Sequence, residues 1–201
     1  MINAMQASPR ETPRTYNVCF SVNGGHVFRK LDQGVTLGPD GLAWTMDGRT
    51  TEMPLGNILA VHLKSGGQST VVDRCAITFA DGDVLCVVNS DPGGFTDRER
   101  VPIYRDFVRD LHDRLAAGPY PEVRFTAGVP AWRYRAMLAA TIVLALACGG
   151  FGLVALAVFG DAKGLAVLLL GGYACWKHGR TTLANAPRAY APDHLPEELL
   201  T

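Results

Sequence analysis

The sequence predicts an α+β chain in which a strand-rich part is closed by one amphipathic helix and followed by two apolar helices. Short β-like runs separated by Gly, Asp and Asn fill residues 15–94, and a stripe of apolar residues with a spacing of four comes next. Between Ala136 and Trp176 the only Asp, Glu, Lys, Arg or His residues are Asp161 and Lys163. The chain therefore divides into a charged part and an apolar part.

About seven antiparallel strands are expected ahead of residue 94. The clearest turns are Asp47-Gly48 and Asp81-Gly82, because both central residues of a type I′ hairpin need a positive φ. The runs are TYNVCFSV, HVFRKL, VTL, LAWTM, RTTEMPL, NILAVHLK, STVVDRCAITFA and VLCVVNS. We expect a meander of these strands, with residues 1–14 as a flexible leader.

One amphipathic helix is expected after the strands. Its stripe consists of Ile103, Phe107, Leu111 and Leu115. Pro102 fits a first helical turn, and Gly118-Pro119 ends the helix. The apolar face needs a sheet to cover, so the strands and this helix are expected to form one domain over residues 15–120.

Three segments carry a resemblance to a known family: LGPDGLAWTMDGRTTEMPLGNILAVHL, CAITFADGDVLCVV and YRDFVRDLHDRL. They resemble the pleckstrin-homology-like fold in its bacterial membrane-associated forms, over roughly residues 15–117. The chain is also similar to uncharacterised bacterial membrane proteins that join such a domain to a helical hairpin and a Pro-rich tail. The resemblance implies an antiparallel β-barrel or sandwich with a C-terminal helix, and a role in binding phosphoinositides or peptides or in scaffolding.

Lipid-binding members of that family use a basic cluster around the first hairpin. The matching residues here are His26, Arg29 and Lys30, accompanied by Asp32 and without a Lys/Arg-x-Arg run. Together with Arg133 and Arg135 they are the candidate contacts for an anion or a lipid headgroup. The alternative is that the hairpin residues are a solvated sheet edge, since Lys and Arg there discourage unwanted pairing.

The apolar part predicts a transmembrane helical hairpin over residues 136–180. The first run, Ala136–Gly160, has 25 residues and would span roughly 37 Å as a helix, whereas a bilayer core needs about 30 Å. The second run, Gly164–Trp176, has 13 residues and would span only about 20 Å. We expect the long stems of Lys163 and Lys177 to extend it; a re-entrant segment is the alternative.

The predicted helices cover residues 136–159 and 165–179, with a turn at 160–164. The expected anchors at the membrane interface are Trp132, Tyr134, Trp176, Lys177 and Arg180. Basic residues flank the outer ends of both helices, and the N-terminus has no apolar signal region. Both termini are therefore expected in the cytoplasm, with the hairpin in a bacterial inner membrane.

Small residues offer a contact surface between the two helices, since they let helix backbones approach closely in lipid. The candidates are Ala145, Gly149, Gly152, Gly164 and Gly171. The alternative is that Gly is simply common in such helices.

The segment 181–201 is expected to be an extended tail because Pro187, Pro192 and Pro196 are spaced through it. Leu195, Leu199 and Leu200 are placed to dock a short terminal turn, either on this chain or on another.

Composition and spacing argue against several activities. Residues 15–126 carry 11 Lys and Arg against 14 Asp and Glu, so a nucleic-acid partner is not expected. The five cysteines have no metal-binding spacing, and neither a metal nor a cofactor is expected. His62 and His112 are interpreted as surface histidines outside any catalytic setting.

We therefore expect a membrane-anchored, non-enzymatic interaction or scaffold module that presents its cytosolic domain to a protein partner. One alternative is an accessory subunit of a larger membrane complex that packs through its helical hairpin. The other is binding of anionic lipid headgroups at the membrane surface.

Overall fold

The computed structural model describes residues 12–24, 34–66, 72–91, 93–159 and 162–200. They form two compact units. The sheet unit comprises the described residues up to Ala127 and from Arg188 onward, and the helix unit comprises Gly128–Pro187.

The described part of the chain contains ten strands and three α-helices. The strands are β1 Arg14–Tyr16, β2 Cys19–Val22, β3 Val35–Leu37, β4 Gly41–Met46, β5 Arg49–Pro54, β6 Ile58–Lys64, β7 Arg74–Phe79, β8 Val84–Val88, β9 Arg124–Ala127 and β10 Arg188–Ala189. The helices are α1 Arg100–Ala117, α2 Ala131–Phe159 and α3 Ala162–Ala184. Two short 3-10 turns cover Leu55–Asn57 and Glu197–Leu199.

The strands form two sheets. Sheet A has the order β1-β3-β4-β5 and is antiparallel. Sheet B has the order β10-β9-β6-β7-β8-β2, with β6 and β9 parallel and the other pairs antiparallel. The β4–β5 turn has positive φ at both Asp47 (53°) and Gly48 (75°), as a type I′ turn requires.

The core of the sheet unit lies where α1 and the inward strand residues bury their apolar side chains. Phe107 and Leu111 of α1 are fully buried, as the four-residue stripe predicts, while Ile103 is half-buried. The Phe107 ring meets Tyr16 edge to face at 5.3 Å, and Trp44 stacks on Phe79 at 5.8 Å. Each fully buried large side chain contributes about 1.5–3 kcal/mol, so this cluster accounts for much of the stability of the unit.

The end of the chain belongs to the sheet unit. β10 pairs with β9, and Leu199 and Leu200 are buried. The Arg105 guanidinium donates two hydrogen bonds to the carbonyl oxygen of Leu200, at 2.9 and 2.6 Å. The segment 181–201, expected as one extended tail, thus contains the end of α3, a strand and a docked 3-10 turn.

The helix unit is an antiparallel pair of helices. Gly152 packs on Leu168, Cys148 packs on Gly171, and Thr141 Oγ1 lies 2.7 Å from His178 Nδ1. Residue numbers therefore rise along α2 as they fall along α3. The first helix begins at Ala131, five residues before the predicted start, and the second continues to Ala184.

The prediction of a two-helix transmembrane hairpin is wrong. Among the described residues, only α2 contains a segment long and apolar enough to cross a membrane, Ala131–Val158 with a mean hydropathy of 2.4. α3 has 23 residues, but Lys177, His178 and Arg180 lie within it and its uninterrupted apolar run is short. The lysine stems do not compensate for a run of about 20 Å where about 30 Å is needed.

The prediction of about seven antiparallel strands is also wrong. The run TYNVCFSV divides into β1, which joins sheet A, and β2, which joins sheet B. β9 and β10 come from segments without a strand pattern, and β9 lies parallel to β6. The predicted strand HVFRKL lies outside the described residues.

Candidate functional site

Basic and aromatic residues of the helix unit gather at one of its ends. Because Thr141 lies opposite His178, the first turns of α2 and the last turns of α3 share that end. The predicted interface anchors Trp132, Tyr134, Trp176, Lys177 and Arg180 all lie there, as do Arg133 and Arg135. We call Arg133, Arg135, Lys177 and Arg180 the basic end.

Three of the four cations of the basic end and the two tryptophans beside them are exposed, while Lys177 is half-buried. Trp132 is 73% and Trp176 is 55% exposed, and Arg133, Arg135 and Arg180 are exposed. The Arg180 guanidinium lies 5.1 Å from the centroid of the Trp176 ring, at the distance of a cation–π contact. The other predicted anion contacts, His26, Arg29 and Lys30, lie outside the described residues.

The predicted helix-packing residues divide into two groups. A Cβ on Gly152 would overlap the Leu168 side chain, and one on Gly171 would lie 2.7 Å from Cys148 Cβ, so both glycines lie in the α2–α3 contact. Ala145 is exposed, and a Cβ on Gly149 would meet nothing within 4 Å. Gly164 lies in the first turn of α3.

Two polar residues of this contact were not predicted. Thr141 and His178 hydrogen-bond across it, and Thr141 also donates to the Met137 carbonyl at 2.8 Å. Thr141 precedes Cys148 by seven residues and Gly152 by eleven, which is the spacing of one helix face. This helical spacing is the sequence signal from which Thr141 could have been predicted to lie in the contact.

Much of the exposed surface of the helix unit is apolar. In the most apolar segment of α2 only 6% is buried within the structure. The exposed apolar side chains of the two helices are Leu138, Ile142, Val143, Leu144, Leu146, Phe151, Leu153, Val154, Leu156, Val158, Leu165, Leu169, Leu170, Tyr173, Trp176 and Leu183. Monomeric soluble proteins rarely expose contiguous apolar patches above a few hundred Å², so this surface is a candidate binding surface.

His112 is buried in the sheet unit and is not a surface histidine as predicted. Its Nδ1 donates to the Val108 carbonyl at 2.7 Å, and its Nε2 accepts from the Tyr190 hydroxyl at 2.8 Å. Burial lowers its pKa to about 4. Both ring nitrogens are occupied, so the imidazole fixes Tyr190 in place and is not free to act as a base.

A groove of about 710 Å³ is lined in part by Tyr190, the hydrogen-bond partner of this histidine. Tyr120, Phe125 and Tyr190 supply its aromatic wall, and Thr126 also lines it. Thr126 Oγ1 lies 3.0 Å from Nδ1 of His62, the residue opposite it on the parallel neighbour β6. We interpret this contact as a cross-strand pair that ties β9 to β6.

Asp73 is a buried carboxylate whose hydrogen bonds hold two loops together. It accepts from the Gly66 backbone N–H at 2.9 Å and from Asn89 Nδ2 at 2.8 Å, and its own N–H donates to Asn89 Oδ1 at 2.9 Å. Burial raises its pKa to about 6. These bonds satisfy the carboxylate locally, so the arrangement is structural.

Within the described residues, no group of three or more His, Cys, Asp and Glu side chains is placed to hold a metal ion. A different feature offers a binding edge. β5 is the last strand of sheet A in the described part of the chain, and Arg49, Thr50, Glu52 and Pro54 along it are exposed. The backbone groups of an edge strand can pair with an extended segment of another chain.

Comparison with protein-family models, with curated proteins and with solved structures finds no match for this chain. The resemblance to pleckstrin-homology-like membrane proteins stays a prediction.

Proposed function

We propose that this chain is a non-enzymatic interaction module that is attached to a lipid bilayer by the apolar surface of α2 and binds a protein partner through its sheet unit. The observation that carries the proposal is the segment Ala131–Val158, which is long enough to cross a bilayer and whose most apolar stretch is only 6% buried. Transfer of such side chains from water to lipid is favourable by about 25 cal/mol per Å² of apolar surface.

The edge of sheet A supports a role in protein binding. Strand addition supplies affinity through main-chain hydrogen bonds, and side chains along the edge supply specificity. Arg49 and Glu52 place charges of both signs along β5, so the partner we propose is an extended segment with complementary charges.

Membrane attachment is tested by flotation of the full chain with phospholipid vesicles. We expect wild-type protein to float with the vesicles, and Leu146→Arg with Val154→Arg to remain at the bottom of the gradient. Phe95→Arg is the matched control because Phe95 of the sheet unit is 67% exposed, as Leu146 (71%) and Val154 (63%) are. Flotation of the double variant at the wild-type level would contradict the proposal.

Partner binding is tested with a photoreactive amino acid at Glu52 in native membranes. We expect irradiation to give a discrete cross-linked product from this position and none from Glu122, an exposed residue of the same type outside the strands. Equal products from both positions would exclude β5 as the binding edge.

A second candidate function, as an accessory subunit that packs through its helices, rests on Gly149. A Cβ on this glycine would meet nothing within 4 Å and Ala145 is exposed, so both leave room for a further helix. If they contact another subunit, Gly149→Leu will release the protein from its detergent-solubilised assembly without disturbing the α2–α3 contact. Unchanged co-migration would exclude this contact.

A further inference from the structure

We infer that the basic end of the helix unit binds anionic phospholipid headgroups in preference to zwitterionic ones. The inference rests on the proposed attachment to a bilayer and names the lipid chemistry that the attached protein recognises. Three observations support it. The antiparallel pair brings its cations to one end, the described part of that unit has no opposing charge, and aromatic rings lie beside the cations.

The cations form a band along the helix axes. Taking the contact between Thr141 and His178 as the reference level, a rise of about 1.5 Å per residue places Arg135 about 9 Å and Arg133 about 12 Å toward the helix end. Arg180 lies about 3 Å on the same side and Lys177 about 1.5 Å on the other. The band is thus about 13 Å deep, which is more than one phosphate group can contact and suits a layer of headgroups.

Among the described residues of the helix unit, no negative charge opposes this band. The described residues of the helix unit contain no Asp or Glu, and none of the four cations forms an ion pair with a described residue. The long stems of Arg and Lys lie along apolar surface while their charges reach the interface.

Two tryptophan side chains indicate that the band lies at the level of the membrane interface. Trp132 and Trp176 are both exposed at this end, and Trp is enriched where a membrane meets water. Beyond Arg135, α2 continues to Val158 without a charged residue. Lys or Arg near an anionic membrane surface contributes about 1 kcal/mol each, which corresponds to roughly fivefold in affinity per residue.

The test uses the full chain in vesicles of phosphatidylcholine that carry a small fraction of dansyl-labelled lipid. Energy transfer from Trp132 and Trp176 reports the label's local concentration, with the buried Trp44 as a common background. At low salt we expect transfer to labelled phosphatidylglycerol to exceed transfer to labelled phosphatidylcholine, with a preference of roughly fivefold or more that falls at high salt.

The key variant replaces all four cations: Arg133→Gln, Arg135→Gln, Lys177→Gln and Arg180→Gln. Its preference should fall to about one. A matched control carries Arg49→Gln, Arg74→Gln, Arg98→Gln and Arg124→Gln, which remove the same number of exposed charges from the sheet unit. The control should keep the wild-type preference.

Equal transfer to both lipids in the wild-type protein, or an unchanged preference in the quadruple variant, would overturn the inference. Loss of the preference when inorganic phosphate replaces chloride at equal ionic strength would also overturn it, because the site would then bind a free anion. Absence of transfer to either lipid would mean that the protein does not enter the bilayer, which is failure of the proposed function itself.

Discussion

The two units differ in how far they bury their apolar side chains. In the sheet unit Phe107, Ile77 and Leu85 are fully buried, and the buried polar residues Asp73 and His112 have hydrogen-bond partners. In the helix unit comparable side chains remain exposed along both helices. The sheet unit thus shields its own apolar surface, whereas the helix unit leaves much of its apolar surface exposed.

This difference makes the units respond differently to substitution. Removing an apolar side chain from the sheet unit creates a cavity, whose cost depends on the protein alone. Adding a charge to the surface of the helix unit costs little in water and several kcal/mol in lipid. Four predictions test this contrast.

The largest effect is expected for Phe107→Ala in the core of the sheet unit. The ring is fully buried against Tyr16, and its loss should reduce the free energy of unfolding by about 3–5 kcal/mol. Phe95→Ala, at an exposed position, should change it by less than about 0.5 kcal/mol. Urea denaturation of the full chain in detergent measures both, in a background with Trp132→Phe and Trp176→Phe so that Trp44 alone reports unfolding; equal effects would contradict the assigned core.

The next effect is a pH dependence carried by Asp73 and His112. The folded pKa of Asp73, about 6, lies above the ordinary 3.8, so its contribution to stability falls as pH rises from 4 to 6. The folded pKa of His112, about 4, lies below 6.5, so its contribution rises over the same interval. Each difference corresponds to about 3 kcal/mol, and the two oppose each other in the wild-type protein.

Single substitutions should separate these two contributions. Asp73→Asn should leave a protein that becomes more stable from pH 4 to 6, and His112→Gln one that becomes less stable, each by about 2 kcal/mol because only part of each titration falls within this interval. Unfolding free energies at several pH values measure the slopes. Parallel slopes in both variants would contradict the assigned burial of these groups.

A smaller effect is expected where the end of the chain docks on α1. Arg105 donates two charge-assisted hydrogen bonds to Leu200, so Arg105→Ala should cost about 1.5–3 kcal/mol. Arg109 and Glu197 form an exposed pair at 2.7 Å, so Arg109→Ala should cost less than about 1 kcal/mol. Protease cleavage after residue 190 reports the docking directly, and equal sensitivity of the two variants would refute the ranking.

The smallest of the four is a contrast within the helix unit. Gly152→Leu should weaken the α2–α3 contact by about 1–3 kcal/mol because the new side chain overlaps Leu168. Gly149→Leu enters open space and should leave the pair intact. Cross-linking between cysteines placed at Thr141 and His178, with the native cysteines removed, measures the contact. Equal yields from both variants would show that Gly152 does not lie in it.

Local sequence patterns predicted helix α1 of the sheet unit, but not the residues distant in sequence that pack on it. The spacing of Phe107, Leu111 and Leu115 follows the helical period, and all three are buried. The same pattern placed His112 on the outer side, but Tyr190, 78 residues later in the chain, covers it. No local feature of the sequence indicates a partner so far away.

The short strands were missed for the same reason. β9 and β10 have four and two residues and are separated by the whole helix unit, so neither shows a periodic pattern of its own. The basic end was easier to predict because Trp132, Arg133 and Arg180 are conspicuous at the ends of apolar runs. The second helix was wrongly predicted to span a membrane because the stems of Lys163 and Lys177 were counted as part of its apolar length.

Carbene labelling from the lipid phase tests the central claim most directly. The wild-type chain would be mixed with vesicles that contain a lipophilic photoactivatable reagent, and labelled residues identified by mass spectrometry. Leu146 of the helix unit and Phe95 of the sheet unit have similar exposure, 71% and 67%. Strong labelling at Leu146 with little at Phe95 is the predicted result; equal labelling of the two, or none on α2, would contradict it.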